Sequence, residues 1–205
     1  MATPLRAGKS WKTFLPALPL KEWDYAAAEK ILAEAPLEDF FSASGAPKTY
    51  YQGRLARARG DIESAQRYLA VVRADVEKRV RDNPDAAERH GHLGLISAYM
   101  QRKEDAIRES RRAVELEPES KNAFHGAKHA ASLALVYSLV GETDQAITLI
   151  ERLLSTPGPV ECSDFPFNMT LADLRLRWEW DPLRNDPRFQ KILAGPEPTT
   201  VLTTR

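Results

Sequence analysis

The chain has 205 residues, and its 29 Lys and Arg are matched by 29 Asp and Glu. A formal net charge of zero removes the long-range field that draws a protein to nucleic acid or to an anionic membrane, so neither is an expected partner. One cysteine, Cys162, excludes an internal disulfide scaffold and fits a reducing, cytoplasmic compartment, and no apolar run approaches the roughly 20 residues that span a bilayer.

In chain order, the run TFLPALPL is interrupted by Pro16 and Pro19 and has no small-residue cleavage site close behind it, so it does not read as a signal peptide. EWDYAAAEKILAEAP predicts a helix with Trp23 at its start and Ala28, Leu32 and Ala35 on its inward stripe. Its helical partner would fall at Ser10 to Glu22, where proline costs on the order of 3 kcal/mol inside a helix. Residues 1–22 are therefore an N-terminal segment with an eroded first helix, and residues 23–158 hold helical repeats. EDFFSASGAPK, from Glu38 to Lys48, predicts a loop with Phe40 and Phe41 tucked under it.

Three hairpins follow in one register. Ala65, Ala106 and Ala146 recur at nearly constant spacing, each preceded by a polar or glycine joint (Gly60, Gln101, Gly141) and, further back, by a small residue (Gly53, Gly94, Ala134). Small residues at both positions let the two helices of a hairpin approach closely. Gly60 and Gly141 take the left-handed conformation that ends a helix at little steric cost, while Gln101 manages without that freedom. In the middle unit Ala106, Ile107, Ala113, Val114 and Leu116 form the buried stripe. Glu104 with Arg108, and Arg111 with Glu115, are spaced for ion pairs on the exposed side, and Pro118 stops the helix.

After Pro159 the period is lost. Residues 159–195 carry two Asp-Pro pairs, Asp181-Pro182 and Asp186-Pro187, each with an acid at the cap and proline at the first helical position. Trp178, Trp180, Leu183, Phe189, Ile192 and Leu193 supply apolar surface that suits a cap over the last open face of a repeat stack. Residues 196–205, rich in Pro and Thr, read as a mobile tail.

Leu93-Gly94, Tyr99, Ala106, Ala113 and Pro118 resemble the tetratricopeptide (TPR) pattern, and Leu133, Tyr137, Gly141 and Ala146 repeat much of it, with a spacing somewhat above the family's period of about 34. Departures are Ser97 where an aromatic is usual, Ser110 on the second-helix stripe and Gln52 in place of Leu. Together with LALVYSLVGETDQAITLIERLL and LRLRWEWDPLRNDPRFQKIL, the chain resembles the C-terminal TPR tails of bacterial serine/threonine kinases, nucleotide cyclases and winged-helix regulators. The resemblance implies an all-α fold: a right-handed superhelical TPR stack of about three hairpins, plus the eroded N-terminal unit and the C-terminal cap. It also implies a non-catalytic scaffold or regulatory module in bacterial signalling, with no cofactor.

In such a stack the first helices line the concave face. That places Tyr50, Arg54 and Arg57, then Leu95 and Tyr99, then Lys128 and Leu135, as contacts for a peptide or partner protein, with Glu88, Gly91, Ala131 and Ser138 at equivalent positions. The competing reading is that Leu95, Tyr99 and Leu135 pack between repeats. The carboxylate clamp of chaperone-binding TPR proteins is not supported, because Arg54, Leu95 and Leu135 stand where its asparagines would. The alternative function is a metal-dependent enzyme or metal-binding helical protein using His90, His92, His125 and His129, the last two on one helix face. The bland reading, polar residues at helix starts, is preferred and no metal is expected. Cys162 has no local cation to activate it and reads as a passive thiol. Nothing resembles a phosphate-cradling or kinase catalytic loop.

Overall fold

The computed structural model describes residues 25–34, 47–155 and 169–196. Trp23, the Ser10–Glu22 segment, Ala35, Phe40, Phe41, Cys162 and nearly all of the expected tail lie outside the described residues. Among those described the protein is all-α. Helix α1 is Tyr25–Glu34, α2 Lys48–Ala58, α3 Ile62–Asp82, α4 Ala87–Tyr99, α5 Lys103–Leu116, α6 Ala123–Leu139, α7 Thr143–Leu154 and α8 Leu171–Leu176. A 3-10 helix, η1, spans Trp178–Leu183, and α9 spans Pro187–Ala194.

The three hairpins are α2–α3, α4–α5 and α6–α7, and each packs on the next through α3 with α4 and α5 with α6; α4 also packs directly on α6. Their joints share one geometry. Gly60 and Gly141 both have φ +79°, and Gln101, with a side chain, takes φ 60°. Each joint closes with the same reach-back: the Asp61 N–H donates to Ala56 O, Arg102 to Ser97 O and Glu142 to Tyr137 O, all at 2.9 Å. This is the left-handed helix stop in which the residue after the turn satisfies a carbonyl that the helix end would otherwise leave bare.

The starts of α3, α6 and α8 are capped by side chains. The Asp61 carboxylate accepts from the Ser64 N–H at 3.0 Å, the Asn122 side chain from His125 at 3.0 Å, and Thr170 from Asp173 at 3.1 Å. Within the hairpins Ala65, Ala106, Ala134 and Ala146 are fully buried, as close helix approach requires. A Cβ on Gly94 would lie 2.1 Å from Ser110 Oγ and 2.8 Å from Ser110 N, and one on Gly53 would lie 2.5 Å from Leu69 Cγ. Ser110, a departure from the family pattern, is thus the small side chain that faces the Gly94 backbone. Ser97 donates to Leu93 O at 2.7 Å and needs no other partner in the interior.

Two local expectations are corrected. On α5 the Glu104–Arg108 and Arg111–Glu115 pairs do not form. Arg108 instead reaches Asp105 at 2.8 Å and Glu109 at 3.0 Å, and Arg111 donates to the Tyr137 hydroxyl at 2.9 Å. Residue spacing fixes a helix face, but several long side chains compete for each acid on it. Asp186-Pro187 starts α9 as read, its carboxylate accepting from Arg188 N at 2.8 Å. Asp181-Pro182 does not start a helix; Pro182 lies inside η1.

The C-terminal elements cover the last hairpin, with η1 against α6 and α7 and α9 against α7. Trp180, Leu183 and Phe189 have no exposed surface, and Ile192 and Leu193 pack beside them. No described helix is long and apolar enough to cross a membrane.

Candidate functional site

The residues expected to face a ligand lie on the first helices of the three hairpins: Tyr50, Arg54 and Arg57 on α2, Leu95 and Tyr99 on α4, Lys128, Leu135 and Ser138 on α6. Tyr50 and Tyr99 meet edge to face across α2 and α4, with centroids 6.4 Å apart. The Arg54 guanidinium lies 5.8 Å from the Tyr50 ring centre and 5.6 Å from that of Tyr99. A cation among tyrosines is held by the rings' quadrupoles but still lacks a counter-charge.

Glu179, from η1, supplies it. Arg54 donates to Glu179 Oε1 at 2.6 Å and the Tyr99 hydroxyl donates to the same oxygen at 3.1 Å. Ser138 donates to the Glu179 main-chain carbonyl at 2.7 Å, and the Tyr99 ring lies 5.9 Å from that of Trp178. Arg177 closes over the carboxylate from the other side, with contacts of 3.1 and 3.3 Å. Asp173 receives the Trp180 indole N–H at 3.1 Å and lies 3.6 Å from Arg177. Two arginines and two carboxylates are therefore buried together, a neutral set, as burial of charge demands.

The titration of these groups follows from that geometry. Burial opposes ionisation of Glu179, but Arg177 and Arg54 overcome it and hold the carboxyl at about 2. Burial likewise opposes charge on Arg54, while Tyr99, Tyr50 and Glu179 raise its pKa overall. Asp173 is pushed up because its burial outweighs the help of Arg177 and Trp180. At the start of α1, burial and the nearby Asp181 and Glu179 carboxylates raise the Tyr25 phenol.

The expectation of an open concave face is thereby corrected. Tyr50, Arg54, Leu95, Tyr99 and Leu135 are all buried, and the chain's own η1 lies against Arg54, Tyr99 and Ser138. Arg57 and Lys128 remain half-exposed. Among the described residues neither forms an ion pair and the Arg57 Nε has no hydrogen-bond partner; burial lowers the Arg57 pKa. Glu179 and Arg177 are the site residues that sequence reasoning missed. Their signal was an acid between two tryptophans, which in an apolar stretch demands a cation, and Arg54 on an aromatic helix face demands the converse.

The four histidines divide. His90 contacts Glu109 at 2.8 Å and Pro84 O at 2.9 Å. His125 and His129 both face Glu117, at 3.4 and 3.1 Å, and His129 packs beside Gly91. Burial lowers the His129 pKa, with Glu117 opposing. The His90 and His129 contacts are hydrogen bonds, and among the described residues no group of three His, Cys, Asp or Glu is placed to hold a metal ion. His92 lies half-buried on α4.

No family model matches the chain, and no curated protein or solved structure matches it.

Proposed function

We propose that the chain is a non-catalytic protein–protein interaction module of the TPR kind, a right-handed stack of three hairpins whose first helices face a polypeptide ligand. The resemblance to signalling tails makes a bacterial, cytoplasmic regulatory role the natural setting. One observation carries the reading: side chains from all three first helices, Arg54, Tyr99 and Ser138, converge on a single short polypeptide segment and hold both its carboxylate and its main-chain carbonyl. A surface that reads side chain and backbone of one residue together is built for peptide recognition. The segment it holds is the chain's own.

Affinity capture from native cell extract with the full chain tests this. Arg57→Glu and Lys128→Glu reverse the two accessible trough cations without touching the buried charge set, and Arg108→Ala alters an exposed second-helix cation. The first two variants should lose the captured polypeptide at least ten-fold while Arg108→Ala retains it. Loss with Arg108→Ala alone would move the binding surface to the second helices and overturn the assignment.

A further inference from the structure

We infer that the trough reads a carboxylate flanked by tryptophans, that Arg177–Leu183 is its resident ligand, and that a segment of another protein with the same acidic–aromatic chemistry competes for the place. The inference rests on the interaction-module reading and names the chemistry of its partner.

The contacts separate into a receptor and a plug. From the helical stack come the Arg54 charge, the Tyr99 hydroxyl and ring, and the Ser138 hydroxyl, one helix each. Within the plug Arg177 pairs with Glu179, and its flanks serve it too: the Trp180 indole donates to Asp173 before it, and Arg184 after it donates to Arg177 O at 3.1 Å. The plug therefore meets its other polar partners within the C-terminal segment and engages Arg54, Tyr99 and Ser138 through Glu179. Charge complementarity then sets the class of a competitor, since a neutral segment would take away the carboxylate that the buried Arg54 guanidinium meets at 2.6 Å.

The resident fits imperfectly. Among the described residues its Trp178 indole N–H is buried without a hydrogen-bond partner, and so is the Arg57 Nε one turn beyond Arg54. Release of the plug returns Trp178 to water, and a competitor with a second acidic residue near Arg57 satisfies a cation that no described acid meets. Against this stands tethering: a covalently linked ligand acts at an effective concentration of order millimolar, so a free peptide competes only when the resident's hold is weakened.

Fluorescence anisotropy with a labelled synthetic peptide of residues 175–186, RLRWEWDPLRND, tests the inference on the full-length chain. Trp180→Ala loosens the plug and leaves Arg54, Tyr99 and Ser138 in place. The variant should bind the peptide at least ten-fold more tightly than wild type, and a peptide with Gln at the Glu179 position should lose at least ten-fold. Equal binding of both peptides, or no gain in a Trp180→Ala chain that circular dichroism shows folded, overturns the inference. Native-state hydrogen exchange on wild type covers the case in which that variant does not fold. Amides of residues 178–183 should exchange at least ten-fold faster than the slowest amides of α4 and α6, and uniform protection overturns plug release. A captured partner that binds unaffected by excess peptide would sink this inference while leaving the interaction-module reading standing.

Discussion

Glu179 is fully buried, and so is the guanidinium it meets; neither charge would be tolerated there alone. Removing one member of such a pair typically costs about 3–5 kcal/mol, whereas replacing both with apolar groups is often near neutral. Glu179→Ala should therefore destabilise by roughly that amount in urea titration, and Arg54→Met with Glu179→Leu should cost far less than the two single changes added together. The remaining Arg177 and Asp173 still balance each other, which is why the double change is the fair comparison. Strictly additive losses would mean that the pair is not coupled. The pH dependence has a definite sign. With its folded pKa at about 2, below the ordinary carboxylate range, Glu179 contributes stability that is full above its unfolded value of about 4.3 and lost as pH falls through about 2. Asp173, raised by burial, acts the other way: its share is present at low pH and lost as pH rises through its folded value. Glu179→Gln should consequently flatten the fall in stability between about pH 4 and pH 2, and an acid limb as steep as that of wild type would reject the assignment.

At the scale of the element, the three hairpin joints test how far a local rule reaches. Gly60 and Gly141 adopt the left-handed turn without a Cβ to clash, and Gln101 adopts it with one. The left-handed region costs an L-residue about 1 kcal/mol or more, partly offset because glycine loses more backbone freedom on folding. Gln101 is exposed, so its replacement sacrifices no packing. Gln101→Gly should raise stability by about 0.5–1 kcal/mol, visible as a higher thermal midpoint, and an unchanged or lower midpoint would show that this turn carries no strain worth relieving. The joints were legible in sequence because everything they need lies within a few residues: a helix end, a permissive turn residue, and a small residue in each flanking helix. The surface pairs of α5 were not, since Glu104, Asp105, Arg108 and Glu109 offer near-equivalent partners that the helical period does not rank. Asp181-Pro182 failed as a helix start for a tertiary reason. Glu179, just before it, is held by Arg54, Tyr99 and Ser138 while Trp180 turns back to Asp173, and the chain there follows the 3-10 turn that places them.

At the scale of the molecule, the all-α fold and the packing of successive hairpins were readable from repeated small residues, and the burial of Glu179 against the first helices was not. Arg54 and Glu179 stand 125 positions apart, and no periodicity connects them. What could be read was the apolar content of the closing segment, whose Trp180, Leu183 and Phe189 are buried together as their spacing suggested. The cap does more than close an end. It covers α6 and α7 and also reaches α2 and α4 through Glu179 and Trp178, so it ties the first and last hairpins through one small element. Removing it by truncation after Gly158 should uncover the parts of α6 and α7 that η1 and α9 cover, together with the Tyr99 ring that meets Trp178. Apolar surface exposed in this way promotes association, and the stack also loses the Glu179 carboxylate that Arg54 meets. The truncated chain should unfold at a lower temperature than the full chain and should elute as a self-associating species in size-exclusion chromatography with light scattering. Both effects share one cause, so adding the peptide of residues 169–196 in trans should reverse them together. A truncated chain that stays monomeric and melts where the full chain does would mean that the repeats are already closed without the segment, and that the contacts of Glu179, Trp180 and Phe189 add nothing to the stability of the stack.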